Sequence, residues 1–174
     1  MKKLILTYGA IAGTIVIATM CIGLLVMPAG AFPQWLGFLI MLVGLSLIFM
    51  GIKRYRDDEQ GGIITFGKAT LVGLGIAATA GVMYVVGWEL YLATTDYAFI
   101  EEYTAAQIEN RRQGGATEAE MAEFISAMDS MKEDYANPAY RLPITFIEIF
   151  PMALLVTLVS AGILRRSEVL PASD

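Results

Sequence analysis

Histidine is absent from this chain of 174 residues, and cysteine occurs once, at Cys21. Without imidazole or a thiol pair, general acid–base and metal chemistry would rest on carboxylates alone. A single thiol inside an apolar run offers neither a disulfide framework nor a thiolate metal site, and reads as a small buried apolar side chain. No basic patch carries interleaved aromatics, so nucleic-acid binding is not expected. Charge itself is missing over a long reach: residues 4–52 contain no Asp, Glu, Lys or Arg. The net charge of −5 is therefore a segregated quantity, confined to the remaining segments.

What is present is apolar chain, 56% of the residues. A membrane span needs about 20 apolar residues rising about 1.5 Å each. Residues 4–27 and 34–52 meet that need, and Pro28-Ala29-Gly30-Ala31-Phe32-Pro33 between them reads as the turn of an antiparallel membrane hairpin. Met1-Lys2-Lys3, an apolar run and Ala29-Gly30-Ala31 also resemble a secretory signal with its cleavage site. A signal has an apolar region of roughly 7–15 residues, however. This run is far longer, and a second apolar segment follows at once, so it is read as a retained span. A third span is expected over about 69–92 and a fourth over about 142–164. The fold class expected is an all-α integral membrane protein, organised over 1–174 as a single membrane domain. The long connection between the last two spans is its insertion.

Basic residues orient such a chain. Lys2, Lys3, Lys53, Arg54, Arg56, Lys68, Arg165 and Arg166 fall on one side, and Arg111, Arg112, Lys132 and Arg141 on the other. This bias places both termini in the cytoplasm and the long connection outside. Tyr84, Trp88, Tyr91 and Tyr97 gather at the outer end of the third span, as an interfacial aromatic belt does. Within the spans, Ala69, Gly73, Ala77 and Gly81 recur at four-residue steps, which marks a helix-packing ridge. Gly9 with Gly13, and Ala153, Thr157 and Ala161, repeat the pattern. The partner of each ridge is either another helix of the chain or a second copy.

Residues 96–135 read as an extracytoplasmic helical hairpin. Asp96 is expected to cap a first helix with Phe99, Ile100, Tyr103 and Ile108 on one stripe. Gly114-Gly115 breaks it. Thr117 and Glu120 then fit a capping box, and Met121, Phe124, Ile125, Met128 and Met131 repeat at threes and fours until Asn137-Pro138. Methionine here packs a helical interface more readily than it binds copper. The surrounding carboxylates lack calcium-loop spacing and read as a solvated acidic face. Two such short helices bury too little to stand alone, so their apolar faces meet each other, the membrane or a partner.

Only Glu89 and Glu148 are ionisable within the apolar spans. Glu89 lies 21 residues from Lys68, about 32 Å along a helix, and Glu148 lies 17 residues from Arg165, about 25 Å. Intramembrane carboxylates are costly and often functional. Glu89, near Trp88 and Tyr91, can snorkel to the interface. Glu148 is deeper, close to Pro143 and Pro151, and serves either as interhelical glue or as a proton carrier. The segment 53–62 reads as a charged turn, and 63–69 as an interfacial stretch feeding the third helix with Thr65 as cap. Gly61-Gly62 and Gly67-Lys68 have the wrong spacing for a phosphate loop.

Four motifs in order are Gly51-Ile52-Lys53-Arg54-Tyr55-Arg56-Asp57, Ile64-Thr65-Phe66-Gly67-Lys68-Ala69, Asn137-Pro138 and Ile144-Thr145-Phe146-Ile147-Glu148-Ile149-Phe150-Pro151. In this order and spacing the chain resembles a bacterial membrane family catalogued as domain of unknown function 4199, found mainly in Bacteroidota, over nearly its whole length. The resemblance implies a four-span inner-membrane protein and transfers no catalytic residue. The usual lysine-rich tail is replaced here by the acidic end 168–174.

The expected function is a non-enzymatic accessory or assembly protein without cofactor or metal, presenting the acidic hairpin to a membrane-protein partner or to copies of itself. The alternative is a small oligomeric proton- or cation-coupled transporter using Glu148 and Glu89. Four spans enclose little polar volume, which weighs against transport by one copy.

Overall fold

The computed structural model describes residues 1–27, 32–166 and 169–170. The Pro/Gly turn expected over 28–33 and the acidic end 168–174 lie largely outside the described residues. Among the described residues there are seven helices: α1 (Lys2–Val26), α2 (Gln34–Leu45), α3 (Leu47–Gln60), α4 (Phe66–Thr94), α5 (Phe99–Gln113), α6 (Glu118–Ala136) and α7 (Pro138–Leu164). Four of the described segments are long and apolar enough to cross a membrane: α1, the α2–α3 stretch Gln34–Gln60, α4 and α7.

The α2–α3 stretch steps at Ser46, whose hydroxyl donates to the carbonyl of Val43 at 2.6 Å. Beyond it the chain departs from expectation: 53–60 is helix, not turn. Lys53 pairs with Asp57 at 2.6 Å and Arg54 with Asp58 at 3.1 Å. Opposite charges four residues apart support a helix and carry it out of the apolar region. The turn is shorter than expected, at Gly61 and Gly62, whose φ angles of 62° and 85° suit only glycine without strain. The N–H of Gly62 reaches back to the carbonyl of Arg56 at 3.0 Å, which closes the helix end.

Thr65 then caps α4, accepting from the Lys68 amide. At 29 residues, α4 is about 44 Å long, more than a hydrocarbon core of about 30 Å needs. The excess length is accommodated by tilt or by extension past the core. It is also the central packing element, in contact with α1, α3 and α7. Val72, Ile76, Ala80 and Leu92 of α4 are fully buried with Val16, Ile48, Ile52 and Leu164 around them.

Small residues make these contacts close. A Cβ on Gly13 of α1 would meet Met83 and the backbone of Ala80, and one on Gly73 of α4 would meet Thr157 Cγ2 at 2.5 Å. Ala69, Gly73, Ala77 and Gly81 are all buried, and Gly81 faces Phe146 as Gly73 faces Thr157. The α4 row therefore lies against α7 of the same chain.

Between α4 and α7, α5 and α6 pack on one another. Lys132 pairs with Glu101 at 3.0 Å, and the Arg111 guanidinium sits 5.8 Å from the Phe124 ring centroid. Thr117 and Glu120 form the capping box, with the Thr117 amide donating to Glu120 at 2.8 Å. These bonds hold the Glu120 carboxyl below the usual carboxylate range. Asp96 does not cap α5 as expected. It takes φ 48° and Tyr97 takes φ 58°, a left-handed pair in the turn, and α5 starts after Ala98 without a side-chain cap. The Tyr97 amide is spent on the Leu92 carbonyl at 2.8 Å, which ends α4 and redirects the chain.

Candidate functional site

The C-terminal end of α4 and the first turn of α7 meet in an ion pair. Asn137 accepts from the Ala139 amide at 3.0 Å, and Pro138 occupies the first helical position, so α7 starts abruptly after α6. Arg141, one turn in, is thereby aimed at α4. Its Nε donates to Glu89 Oε1 at 2.7 Å and its Nη2 to Glu89 Oε2 at 2.8 Å. The planar guanidinium matches a carboxylate at two points, the strong form of this contact. Arg141 has 5% side-chain exposure and Glu89 26%.

The remaining guanidinium face is enclosed by aromatics. Arg141 Nη1 donates to the Tyr135 carbonyl at 2.9 Å, one of the orphan carbonyls at the end of α6. The Tyr97 and Tyr135 ring centroids lie 5.1 and 5.7 Å from its central carbon. The Tyr97 contact follows from the left-handed turn at 96–97. Trp88 Nε1 donates to the Tyr135 hydroxyl at 2.6 Å, and Phe99 meets the Trp88 ring edge-on at 4.8 Å. Burial pushes the Tyr135 phenol up, with the Trp88 hydrogen bond opposing. α4, α5, α6 and α7 are thus joined at one junction. A cavity of about 360 Å³ opens beside it, walled by Leu92, Tyr97, Ile100, Tyr135, Pro138 and Arg141.

Glu89 is therefore internally neutralised. Glu148 is placed differently, on the exposed side of α7, crowded by Tyr84 of α4 on one flank and open on the other. The two carboxylates are not brought together. Among the described residues no three carboxylate or thiol side chains converge to hold a metal ion.

At the opposite end, Arg56 is fully buried. Its Nε donates to Asp57 at 2.7 Å, and its two terminal nitrogens donate to the carbonyls of Val169 and Leu170. This clasp ties Val169 and Leu170 to α3.

Sequence reasoning singled out Glu89 but missed its mate. The available signal was depth: Arg141 directly precedes the fourth apolar run, at the same end of the bundle as Glu89. Arg56 was read only as one cation of a charged turn, because nothing local distinguishes it from Arg54.

A family model described as "Protein of unknown function (DUF4199)" matches residues 7–166. No curated protein and no solved structure matches the chain.

Proposed function

The chain belongs to the DUF4199 family of proteins of unknown function, and from that premise we propose that it is a small, non-enzymatic accessory or assembly protein of the bacterial inner membrane. Both termini lie in the cytoplasm in this reading. The α5–α6 pair stands outside as a helical hairpin and meets a membrane-protein partner.

One observation carries the reading: the α5–α6 pair is fastened to the bundle, not tethered to it. Tyr135 of α6 receives hydrogen bonds from Trp88 and from Arg141, and Phe99 of α5 packs on Trp88. A pair held this way presents a fixed face. That face is acidic, with Glu118, Glu123, Glu133 and Asp134 all exposed. α6 itself has no fully buried residue, and Met121, Phe124, Ile125 and Met128 are only half covered by α5. A preorganised, charged and incompletely covered surface is suited to recognition, because little ordering entropy remains to be lost on binding. The transport alternative draws on two carboxylates, and Arg141 already occupies one of them.

The test is a crosslinking pull-down from native membranes with the full chain. It compares the parent with a variant carrying Glu118→Lys, Glu123→Lys and Glu133→Lys. A stable partner captured by the parent and lost by the variant is expected. Recovery of copies of the chain alone would instead favour an oligomeric transporter.

A further inference from the structure

Glu148 is the one carboxylate at hydrocarbon depth in the described residues that the chain leaves open on its outer surface. It lies seven residues beyond Arg141, about 10 Å further in along α7. The Arg141–Glu89 pair stands at the end of the apolar run that begins at Leu142, so Glu148 sits inside that run. Along α7, Ile144, Ile147, Glu148, Pro151 and Leu155 form one exposed row, spaced at threes and fours. Every other member of that row is apolar, as a lipid-facing stripe should be. The opposite side carries Thr145, Ile149, Ala153 and Thr157, all buried.

A carboxylate accepts at about four positions, and a phenol supplies one O–H. Tyr84 therefore leaves most of the group unmet, and lipid supplies no donors. Glu89, facing the same problem, is solved within the chain by Arg141. Glu148 has no such mate among the described residues, because the cations other than Arg141 lie towards the ends of the bundle or on α5 and α6. A second copy of the chain in the same orientation brings no Lys or Arg to this depth.

We infer that the α7 row around Glu148 docks a membrane-spanning helix of a different protein, one that carries a Lys or Arg at the depth of Glu148. Charge complementarity at this single position sets the register, and Ile144, Ile147 and Leu155 supply the packing around it. This inference rests on the accessory reading but can fail separately. The acidic face of α5–α6 is probed by the pull-down above, and the α7 row by a contact made inside the membrane.

The experiment places the photocrosslinker benzoylphenylalanine at Ile147 of the full chain in its native membranes. The expected result is an adduct with one membrane protein whose crosslinked helix holds a basic residue in its outer half. Glu148→Gln should lower the yield about tenfold, the loss typical of one charged hydrogen-bonded contact, without lowering the melting temperature in detergent. Glu148→Lys should abolish the adduct, and a matching reversal of the partner's basic residue to Glu should restore it. If Glu148→Gln does not fold, neutralising the partner's basic residue makes the same test on an unaltered chain. Adducts with lipid or with a second copy alone would overturn the inference, as would an adduct indifferent to the charge at Glu148.

Discussion

Arg141 and Glu89, 52 residues apart in sequence, face each other through two parallel hydrogen bonds of 2.7 and 2.8 Å. The pair is more than a bond between α4 and α7. The same guanidinium holds the Tyr135 carbonyl, so it also fixes where α6 stops. Removing Glu89 strands a cation that is almost fully buried. Glu89→Gln should cost about 2 kcal/mol, below the range for a wholly buried pair because Glu89 is a quarter exposed. Arg141→Gln should cost at least as much. Thermal unfolding in detergent measures both, and the double variant should lose less than the sum. Strict additivity would mean that the pair carries no coupling.

Packing of α4 is tested by two glycines of one helix. Gly73→Leu drives side-chain atoms into Thr157 and Ile52, whereas a Cβ at Gly67 meets nothing within 4 Å. Overpacking of a tight contact costs about 1–3 kcal/mol or more. Gly73→Leu should therefore lower the melting temperature in detergent, and Gly67→Leu should leave it nearly unchanged. Equal stability of the two variants would remove the close α4–α7 contact.

The proposed orientation rests on the basic residues. Reporter fusions after Ile52 and after Arg166 should read cytoplasm, and one near Gly114 should read the outside. A cytoplasmic signal at Gly114 would place the acidic face of α5–α6 on the wrong side for the proposed function.

The Arg56 clasp makes three contacts that one planar guanidinium satisfies together. A lysine ammonium keeps the charge but not the fork. Arg56→Lys should therefore loosen the segment at Val169 and Leu170. Hydrogen exchange or limited proteolysis following α7 should be faster in the variant, with the spans unaffected. An unchanged rate would show that the clasp contributes nothing to holding this segment.

The capping box gives a pH dependence. Thr117 holds the Glu120 carboxyl below the usual range. A carboxyl with a lower pKa in the folded state stabilises fully above its unfolded pKa, about 4.3, and the contribution fades as pH falls through the folded value. Amide protection at Thr117 and Met121 should thus weaken below about pH 4 in the parent. Glu120→Gln should show no such acid step. An acid step of equal size in the Gln variant would assign it to another group.

Local chemistry was legible wherever it is short-ranged. The Thr65 cap, the Thr117–Glu120 box and the Asn137-Pro138 boundary involve residues within three positions of each other, and each stands where the sequence placed it. The reading of Asp96 failed for a related reason. Aspartate is a good cap by type, but here the backbone of 96–97 turns left-handed so that the Tyr97 amide closes α4 on Leu92. The same turn brings the Tyr97 ring to 5.1 Å from the Arg141 guanidinium, a contact with a residue 44 positions away. The charged turn over 53–62 shortened to two glycines because two ion pairs at four-residue spacing extend α3.

The sequence alone determined that this is a helical chain with four apolar spans, since lipid requires every backbone group to be bonded within its own helix and an apolar run of the right length has no other stable form there. It also determined which residues were unusual: two carboxylates among apolar neighbours, and a four-step ridge of small side chains. Only the tertiary structure decided what each of them meets. Glu89 received a buried arginine and Glu148 an open surface, although both are glutamates near the same end of a span. The ridge on α4 received α7 of its own chain. The reason is that a span's composition is dictated by lipid, which is the same on all sides, whereas pairing depends on how each helix is rotated about its axis. Rotation is set by contacts between residues far apart in sequence.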